Sequence, residues 1–261
     1  MNNFLQQSID YANQCNYLDN LFKVYPTIPD GIRDLDNSKW NIVEQAFNSS
    51  DNESLINALL KLDLFPIKDS YVAYLKRDKN AIKRNPATIN RLAGRLYEMG
   101  LSKIFERCSE PKETNRQIGP LFKRWLNSGV LGVRGCLYDE FLSSTDNAIL
   151  NASDEEMKRF SNEYLGYNHS KGLDLVARFN GKYVIGEAKF LTDFGGHQNA
   201  QFADAISTIE ADVHSNVIKV AVLDGVLYIP GKNKMYKEVT QKYSDYNIMS
   251  ALLLPTFLYQ V

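Results

Sequence analysis

Cysteine and histidine are both scarce in this chain of 261 residues, with three of each. Cys15, Cys108 and Cys136 form an odd and widely scattered set, which excludes a disulfide framework or a zinc knuckle and favours a reducing cytoplasm. The three histidines lack the spacing of metal ligands. We therefore expect no structural zinc and no disulfide scaffold.

Long hydrophobic runs are also lacking. The longest apolar stretch, IMSALLLPTFLYQV at the C-terminus, is too short to span a bilayer and contains Pro255. The chain opens on MNNFLQQSIDY, with no basic segment before an apolar core, so we expect neither a secretory signal nor a membrane partner. A hydrophobic content of 44% with 11% aromatic residues instead indicates a folded globule.

The net charge of −1 conceals an uneven distribution. Residues 72–134 contain fourteen Lys and Arg against five Asp and Glu. A basic block inside a near-neutral protein is typical of a localised contact with a polyanion such as nucleic acid. The alternative is a solvated helical surface on which basic residues happen to cluster.

The first two-thirds of the chain has mainly helical periodicity. Asn85, Pro86 and Gly100 are the expected N-cap, first residue and stop of one helix. A capping box from Ser153 to Glu156 opens another. A third has a predicted buried face formed by Ile118, Leu121, Phe122, Trp125 and Leu126.

After Gly172 the periodicity changes to alternation. LDLVARF and KYVIGEAKF read as strands joined by a two-residue turn at Asn180-Gly181. A helix is predicted over HQNAQFADAISTI, and VIKVAVLDGVLYIP reads as two further strands around Asp224-Gly225. We predict an α/β fold: a mixed β-sheet core with flanking helices and a helical N-terminal half.

The predicted hairpin gathers charged groups at one end. Asp174 pairs near Glu187 across the hairpin, and alternation directs Glu187 and Lys189 to one face while Ala188 points to the other. Two converging carboxylates are costly unless a cation lies between them. Mg²⁺ or Mn²⁺ prefers oxygen ligands and usually keeps several waters. Lys189 would lie beside a metal-bound water, orienting it or easing its deprotonation. The alternative is a surface Glu-Lys pair that ends a strand.

Asp174 followed by Glu187-Ala188-Lys189 on a hairpin, with a helix after it, resembles the PD-(D/E)XK nuclease motif and in particular type II restriction endonucleases. Leu173 stands where the proline of the motif is usual. The resemblance covers residues 171–209. It implies that Asp174, Glu187 and the Ala188 carbonyl bind the metal, and that Asp174, Glu187 and Lys189 are catalytic. From this resemblance, together with the helical periodicity of the first part of the chain, we predict a mainly helical DNA-binding and dimerisation region over residues 1–150 and a catalytic α/β core over residues 151–261, within one compact domain.

The loop that follows carries one set of candidate DNA contacts. Gly195 and Gly196 lead into a helix whose free N–H groups can bind a phosphate. Polar side chains suited to base edges or phosphates follow them: His197, Gln198, Asn199 and Gln201. Alternatively, the glycines form a plain loop and His197 caps the helix.

A second set of candidates lies on the preceding helices. Arg91 and Arg95 suit phosphate contacts better than base contacts. The remaining candidates, which alternatively form a solvated helix edge, are Asn115, Arg116, Gln117, Lys123 and Arg124. Some relatives of this fold carry an extra acid on an earlier helix, and Glu98, Glu140 or Glu163 could take that place, although an ordinary solvated or paired Glu accounts for each.

The resemblance implies a Mg²⁺-dependent, sequence-specific double-strand DNA endonuclease that leaves 5′-phosphate and 3′-hydroxyl ends, with Mn²⁺ as a substitute ion. A homodimer is expected because a two-fold protein matches a palindromic site. Three alternatives remain: a repair or recombination nuclease of the same fold, a DNA-binding protein without cleavage, and an unrelated α/β interaction protein with a chance motif.

Overall fold

The computed structural model describes residues 1–27, 34–110, 117–169, 171–231 and 233–261. The helices are α1 (Asn3–Ala12), α2 (Tyr17–Val24), α3 (Asn37–Asn48), α4 (Asn52–Leu60), α5 (Ser70–Arg77), α6 (Ala81–Arg84), α7 (Pro86–Met99), α8 (Leu101–Cys108), α9 (Ile118–Leu126), α10 (Tyr138–Ser143), α11 (Asp154–Leu165), α12 (Gly196–Glu210), α13 (Lys234–Lys237) and α14 (Leu254–Gln260). The strands are β1 (Gly135–Cys136), β2 (Ala148–Leu150), β3 (Leu175–Phe179), β4 (Lys182–Leu191), β5 (Val217–Gly225) and β6 (Ile248–Met249).

The six strands form one mixed sheet in the order β1-β2-β3-β4-β5-β6. Strands β2, β3 and β4 are antiparallel neighbours, whereas β1 runs parallel to β2 and both β5 and β6 run parallel to the strand before them. The long helix α12 provides the crossover from β4 to β5, as a parallel pair requires. The predicted mixed α/β architecture is confirmed.

The β3–β4 hairpin has the turn and the register that its sequence predicts. Asn180 and Gly181 have φ values of 50° and 75°, as expected for a two-residue turn in which both central residues are left-handed. Leu175 pairs with Gly186 and Phe179 with Lys182. Gly186 is required there, because a Cβ atom would lie 2.7 Å from the Val220 carbonyl oxygen on β5.

The chain divides into two compact units. The sheet unit comprises Met1–Thr27 and Thr114–Val261, and the helical unit comprises Ile28–Glu113. This division differs from the predicted boundary at residue 150. Strands β1 and β2 lie within residues 1–150 but belong to the sheet, and α1 and α2 bury their apolar side chains in the same core as β3, β4 and β5.

Two hydrophobic clusters pack on the hairpin and reflect its alternation. Leu175 and Val184 belong to the larger cluster, with α1, α2, α9 and α12. Val176 and Ile185 belong to a second cluster, with α10 and α11. Because side chains alternate along a strand, Asp174, Glu187 and Lys189 share the face of Val176 and Ile185. The apolar neighbours on both faces fix the register of the hairpin.

The predicted helices are confirmed at their ends and on their buried faces. Pro86 opens α7 after its N-cap Asn85, and α7 ends before Gly100. The capping box of α11 is formed, with the Glu156 backbone N–H donating to Ser153 Oγ and the Ser153 backbone N–H donating to Glu156 Oε2. Helix α9 buries Ile118, Leu121, Phe122 and Leu126, and Trp125 is partly buried. Helix α12 buries Phe202, Ala205, Ile206 and Ile209.

The prediction of two strands around Asp224-Gly225 is wrong. One strand, Val217–Gly225, is followed by a 3-10 helix at Val226–Tyr228. Gly225 has a φ of +101°, and a Cβ atom there would lie 2.0 Å from the Leu191 carbonyl oxygen. The Asp-Gly pair therefore ends a buried parallel strand rather than turning a hairpin, a distinction that its local composition does not carry.

Asp224 itself is a fully buried carboxylate held by four donors. Tyr17 Oη and Tyr25 Oη each donate to it over 3.2 Å, Ala251 N donates over 3.1 Å, and Ser250 Oγ completes the set. Burial raises the pKa of Asp224 to about 6, although its hydrogen bonds, which favour the charged form, oppose the shift. This network ties α2 and the C-terminal segment to the end of β5.

The helical unit has a separate core. Its buried side chains come from α3, α4, α5, α6, α7 and α8. In the described part of the chain, no helix is long and apolar enough to cross a membrane.

Candidate active site

The structure brings Asp174, Glu187 and Lys189 together at one end of the β3–β4 hairpin. The Asp174 backbone N–H donates to the Gly186 carbonyl over 3.0 Å, which places Asp174 just before the first residue of β3 and next to Glu187. Its carboxylate oxygen Oδ2 accepts from the Ala188 backbone N–H over 3.0 Å. Asp174 is thus fixed to the backbone of β4 at both its main chain and its side chain.

Lys189 contacts both carboxylates. Its ammonium Nζ lies 3.5 Å from Asp174 Oδ2 and donates to Glu187 Oε1. The side chains of Asp174 and Lys189 remain 19% and 20% exposed, and that of Glu187 is 10% exposed. The cluster is therefore largely desolvated but accessible from solvent on one side.

The electrostatics of the cluster show an excess of negative charge. Burial raises the pKa of Glu187 to about 7, the charge of Asp174 adds to this, and Lys189 only partly offsets it. Burial alone would lower the pKa of Lys189, but the two carboxylates raise it above its ordinary value. Lys189 is therefore held in its charged form, and one ammonium does not fully neutralise the pair.

These residues suit a hard divalent cation. Among the residues that the structure describes, no three His, Cys, Asp or Glu side chains are grouped to hold a metal ion. A cation here would take the carboxylates of Asp174 and Glu187, with the Ala188 carbonyl and water supplying further oxygens. Mg²⁺ commonly binds through one or two carboxylates and keeps several waters, so this donor set fits it.

The first turn of α9 borders the same carboxylate. A Cβ atom on Gly119 would lie 4.0 Å from Asp174 Oδ1, which leaves this oxygen beside the helix start. Gln117, at the N-cap of α9, has a buried Nε2 atom without a hydrogen-bond partner in the described part of the chain. The sequence predicts Gln117 as a base reader, but its pattern does not show that α9 lies beside the carboxylates.

The loop after β4 holds its predicted polar residues in different environments. His197 is exposed, and its Nε2 lies 3.3 Å from Gln201 Nε2. Asn199 Nδ2 donates to the Phe194 carbonyl over 3.4 Å. Gln198 is buried, and its Oε1 accepts from the Thr192 backbone N–H over 3.2 Å. Gln198 thus braces the loop from inside, unlike its exposed neighbour His197.

The start of α12 is open around the predicted phosphate site. Gly195 is the N-cap and Gly196 the first residue of α12, and a Cβ atom at either position would meet nothing within 4 Å. His197 makes no capping hydrogen bond, since Gly195 is the N-cap. The helix has fifteen residues, so its N-terminal dipole is well developed.

The other residues predicted to contact DNA differ in whether they form ion pairs within the protein. Lys123 pairs with Asp154, whereas Arg124 is exposed and pairs with no acid among the described residues. Arg91 lies 2.8 Å from Asp69 and Arg95 lies 2.9 Å from Glu98. Asn115 and Arg116 lie outside the described residues.

The three acids proposed as extra members of the site are engaged or exposed elsewhere. Glu98 pairs with Arg95 and Glu140 with Arg134, while Glu163 is exposed on α11. Sequence reasoning instead missed Asp204 on α12, whose charge adds to the raised pKa of Glu187 and whose carboxylate pairs with Lys171. In the sequence, Asp204 is an acid between two residues of the apolar face of α12, Phe202 and Ala205, and this position is the signal that could have indicated it.

The structure is thus a mixed α/β protein whose sheet carries a partly exposed centre of two carboxylates and an amine. Residues 2–261 match the family model described as Tsp45I type II restriction enzyme, so the chain belongs to that family. It is a site-specific deoxyribonuclease, a DNA endonuclease that acts at a defined sequence. Comparison with curated proteins and with solved structures found no match.

The raised pKa of Glu187 predicts a pH-dependent stability in the presence of EDTA. Because this carboxyl favours its protonated form in the folded state, its contribution is complete below about pH 4.5 and is lost as the pH rises through about 7. The free energy of unfolding should therefore fall more steeply between pH 5 and 8 in the wild type than in Glu187→Gln, by at most about 1.4 kcal/mol per pH unit.

Chemical denaturation at several pH values measures this difference. Glu163→Gln, which changes an exposed glutamate of the same unit, is the control and should keep the wild-type slope. Equal slopes in the wild type and in Glu187→Gln would show that Glu187 titrates as an ordinary glutamate.

Proposed function

We propose that this restriction enzyme cleaves both strands of duplex DNA by Mg²⁺-dependent hydrolysis, within a catalytic core of the PD-(D/E)XK type. The observation that supports this is the convergence of Asp174, Glu187 and Lys189 on one accessible end of a hairpin. Asp174, Glu187 and the Ala188 carbonyl would hold the ion, and Mn²⁺ can replace Mg²⁺ at such oxygen ligands.

When bound, the ion supplies a Lewis acid that polarises a phosphoryl oxygen and stabilises charge on the leaving oxygen. The water oxygen attacks phosphorus and the bond to the 3′ oxygen breaks. Of the two protons of the attacking water, one stays with the oxygen now bound to phosphorus and the other passes through solvent to the 3′ oxygen, which gives a 5′-phosphate and a 3′-hydroxyl. Lys189, which contacts both carboxylates, would orient the attacking water or ease its deprotonation, and its charge would offset negative charge at the phosphate.

The backbone anchoring of Asp174 supports its role as the fixed ligand of the pair. Its Oδ2 is already bound to the Ala188 N–H, so little side-chain freedom is lost when a cation binds. Glu187 has the less exposed side chain of the pair, and its raised pKa means that its ionised form is costly without a cation. A cation in contact with both groups would relieve that cost.

We further propose DNA contacts on two surfaces of the sheet unit. One is the loop and start of α12, where Gly195, Gly196, His197, Asn199 and Gln201 face the duplex and Gln198 braces the loop. The other is the edge of α9, formed by Gln117, Lys123 and Arg124, with Asn115 and Arg116 preceding it in the sequence. In the helical unit, Arg91 and Arg95 would exchange their present carboxylate partners for phosphates.

A homodimer is part of the proposal, because two copies related by a two-fold axis would bring one centre to each strand of a palindromic site. We also propose that the protein is located in the cytoplasm, because the three cysteines of the chain, all within the described residues, form no disulfide.

The rate of DNA cleavage should depend on Asp174 and on Lys189. Asp174→Ala and Lys189→Ala should each lower the cleavage rate about 10³-fold or more, because each removes a group that acts on the reacting phosphate or its water. Discrete fragments of phage DNA should appear with Mg²⁺ and not with EDTA. Duplex binding in EDTA, measured by gel shift, should stay within about threefold of wild type.

Lys182→Ala is the matched control, since it removes an exposed lysine at the opposite end of the same strand. It should cleave at the wild-type rate. Undiminished cleavage by Lys189→Ala would remove that residue from the chemistry, and fragments formed in EDTA would argue against a metal.

Variants of His197, Asn199 and Gln198 should distinguish residues that contact DNA from a residue that stabilises the loop. His197→Ala combined with Asn199→Ala should weaken duplex binding about tenfold without lowering the melting temperature, since neither side chain is buried. Gln198→Ala should lower the melting temperature, because it leaves the Thr192 N–H unpaired. Unchanged duplex affinity in the double variant would exclude this loop as a DNA contact.

A further inference from the structure

A cluster of exposed tyrosines and basic residues lies wholly within the helical unit. It occupies α5, α6 and the turn between them. Its members, which we call the basic tyrosine surface, are Tyr71, Tyr74, Lys76, Arg77, Lys79 and Lys83. Each is exposed, and residues 70–84 contain five basic residues against one acidic residue, Asp78.

The four basic residues of this surface have no acid partner among the described residues, unlike several other basic residues of the same unit. Asp78 pairs with Arg84, and no other carboxylate of the described residues pairs with the four basic members of the surface. Four other basic residues of the helical unit each pair with an acid: Lys39 with Asp36, Arg95 with Glu98, Lys103 with Glu106 and Arg107 with Glu110. The positive potential is therefore concentrated at α5 and α6.

The tyrosines are not explained by packing. Val72 and Leu75 are the buried residues of α5, whereas Tyr71 and Tyr74 are each 61% exposed. They are three residues apart, so both hydroxyl groups can reach the same side of the helix. Arg91 from α7, which pairs with Asp69, lies over the Tyr71 ring, 5.5 Å from its centre, whereas Tyr74 has no such contact among the described residues.

Helix polarity accounts for part of the pattern only. Lys76 and Arg77 lie in the last turn of α5, where cations interact favourably with the helix dipole. Lys79 lies beyond α5, and the exposed tyrosines gain nothing from the dipole. The described residues 70–84 also expose no large aliphatic side chain, which favours a phosphate backbone, with its need for cations and hydroxyl donors, over a lipid surface.

We propose that the basic tyrosine surface binds the phosphate backbone of duplex DNA without reading its sequence. Lysine, arginine and tyrosine side chains are common donors to phosphate oxygens, and duplex DNA carries one negative charge per about 1.7 Å of axis. The surface would hold the enzyme on DNA of any sequence while other residues read the site. This inference rests on the proposed function, cleavage of duplex DNA; family membership gives DNA as the substrate.

The salt dependence of binding tests this inference. In EDTA, the affinity for two duplexes, one with and one without the mapped cleavage site, is measured at several salt concentrations. The quadruple variant Lys76→Ala, Arg77→Ala, Lys79→Ala and Lys83→Ala should lower the slope of log K against log salt by about 0.9 for each phosphate that is no longer neutralised, up to about 3.6. Both duplexes should be weakened by the same factor, so the specificity ratio is unchanged.

A second quadruple variant supplies the matched control. Lys39→Ala, Lys61→Ala, Lys103→Ala and Arg107→Ala remove the same charge from exposed positions of the same unit outside the surface. This variant should change the slope by less than about 1. The double variant Lys76→Ala and Lys83→Ala should give about half of the full effect, which excludes misfolding as the cause.

Equal slopes in the two quadruple variants would overturn the inference, as would a weakening confined to the duplex with the site or to single-stranded DNA. Cleavage by the wild type with Mg²⁺ is measured in parallel. A wild type that binds with the expected salt dependence but does not cut would refute the proposed chemistry alone, and the surface would stand.

Discussion

The register of the β3–β4 hairpin is the constraint on which the candidate centre depends. The left-handed pair Asn180 and Gly181 closes the turn, and Leu175 opposite Gly186 then brings Asp174 next to Glu187. A slip of one residue would move Glu187 and Lys189 to the other face. Apolar clusters on both faces of the hairpin make such a slip costly, so the same contacts that stabilise the sheet also assemble the charged groups.

Two buried carboxyl groups in this sheet show how the environment decides a role. Asp224 is sealed from solvent and surrounded by four donors, so it serves the structure. Glu187 is nearly as buried, but its partners are another carboxylate and a shared lysine, and a face of the cluster stays open. Burial and the charge of Asp174 both disfavour the ionised form of Glu187, so a cation would stabilise this cluster. Burial also raises the pKa of Asp224, but hydrogen bonds from its four donors already stabilise its charged form.

The sequence predicted the hairpin, its charged end and the helices α7, α9, α11 and α12, because each has a strong local signal: a turn pair, a capping box or a regular apolar stripe. It did not predict β1 and β2, which have two and three residues and are too short for a periodic pattern. The end of β5 and the places of Asp204 and Gln198 depend on tertiary contacts, so composition alone could not assign them. Helices α1 and α2 belong to the sheet unit through contacts with residues far away in the sequence, so local patterns could not assign them either.

The most direct measurement is anomalous scattering from crystals grown with Mn²⁺. We predict a peak within about 2.3 Å of carboxylate oxygens from both Asp174 and Glu187 and of the Ala188 carbonyl oxygen, since hard divalent ions bind oxygen at about 2.0–2.3 Å. We also predict that Lys189 moves off the two carboxylates when the ion binds. A peak elsewhere in the sheet unit, or none at a saturating Mn²⁺ concentration, would contradict the assignment of this hairpin as the catalytic centre.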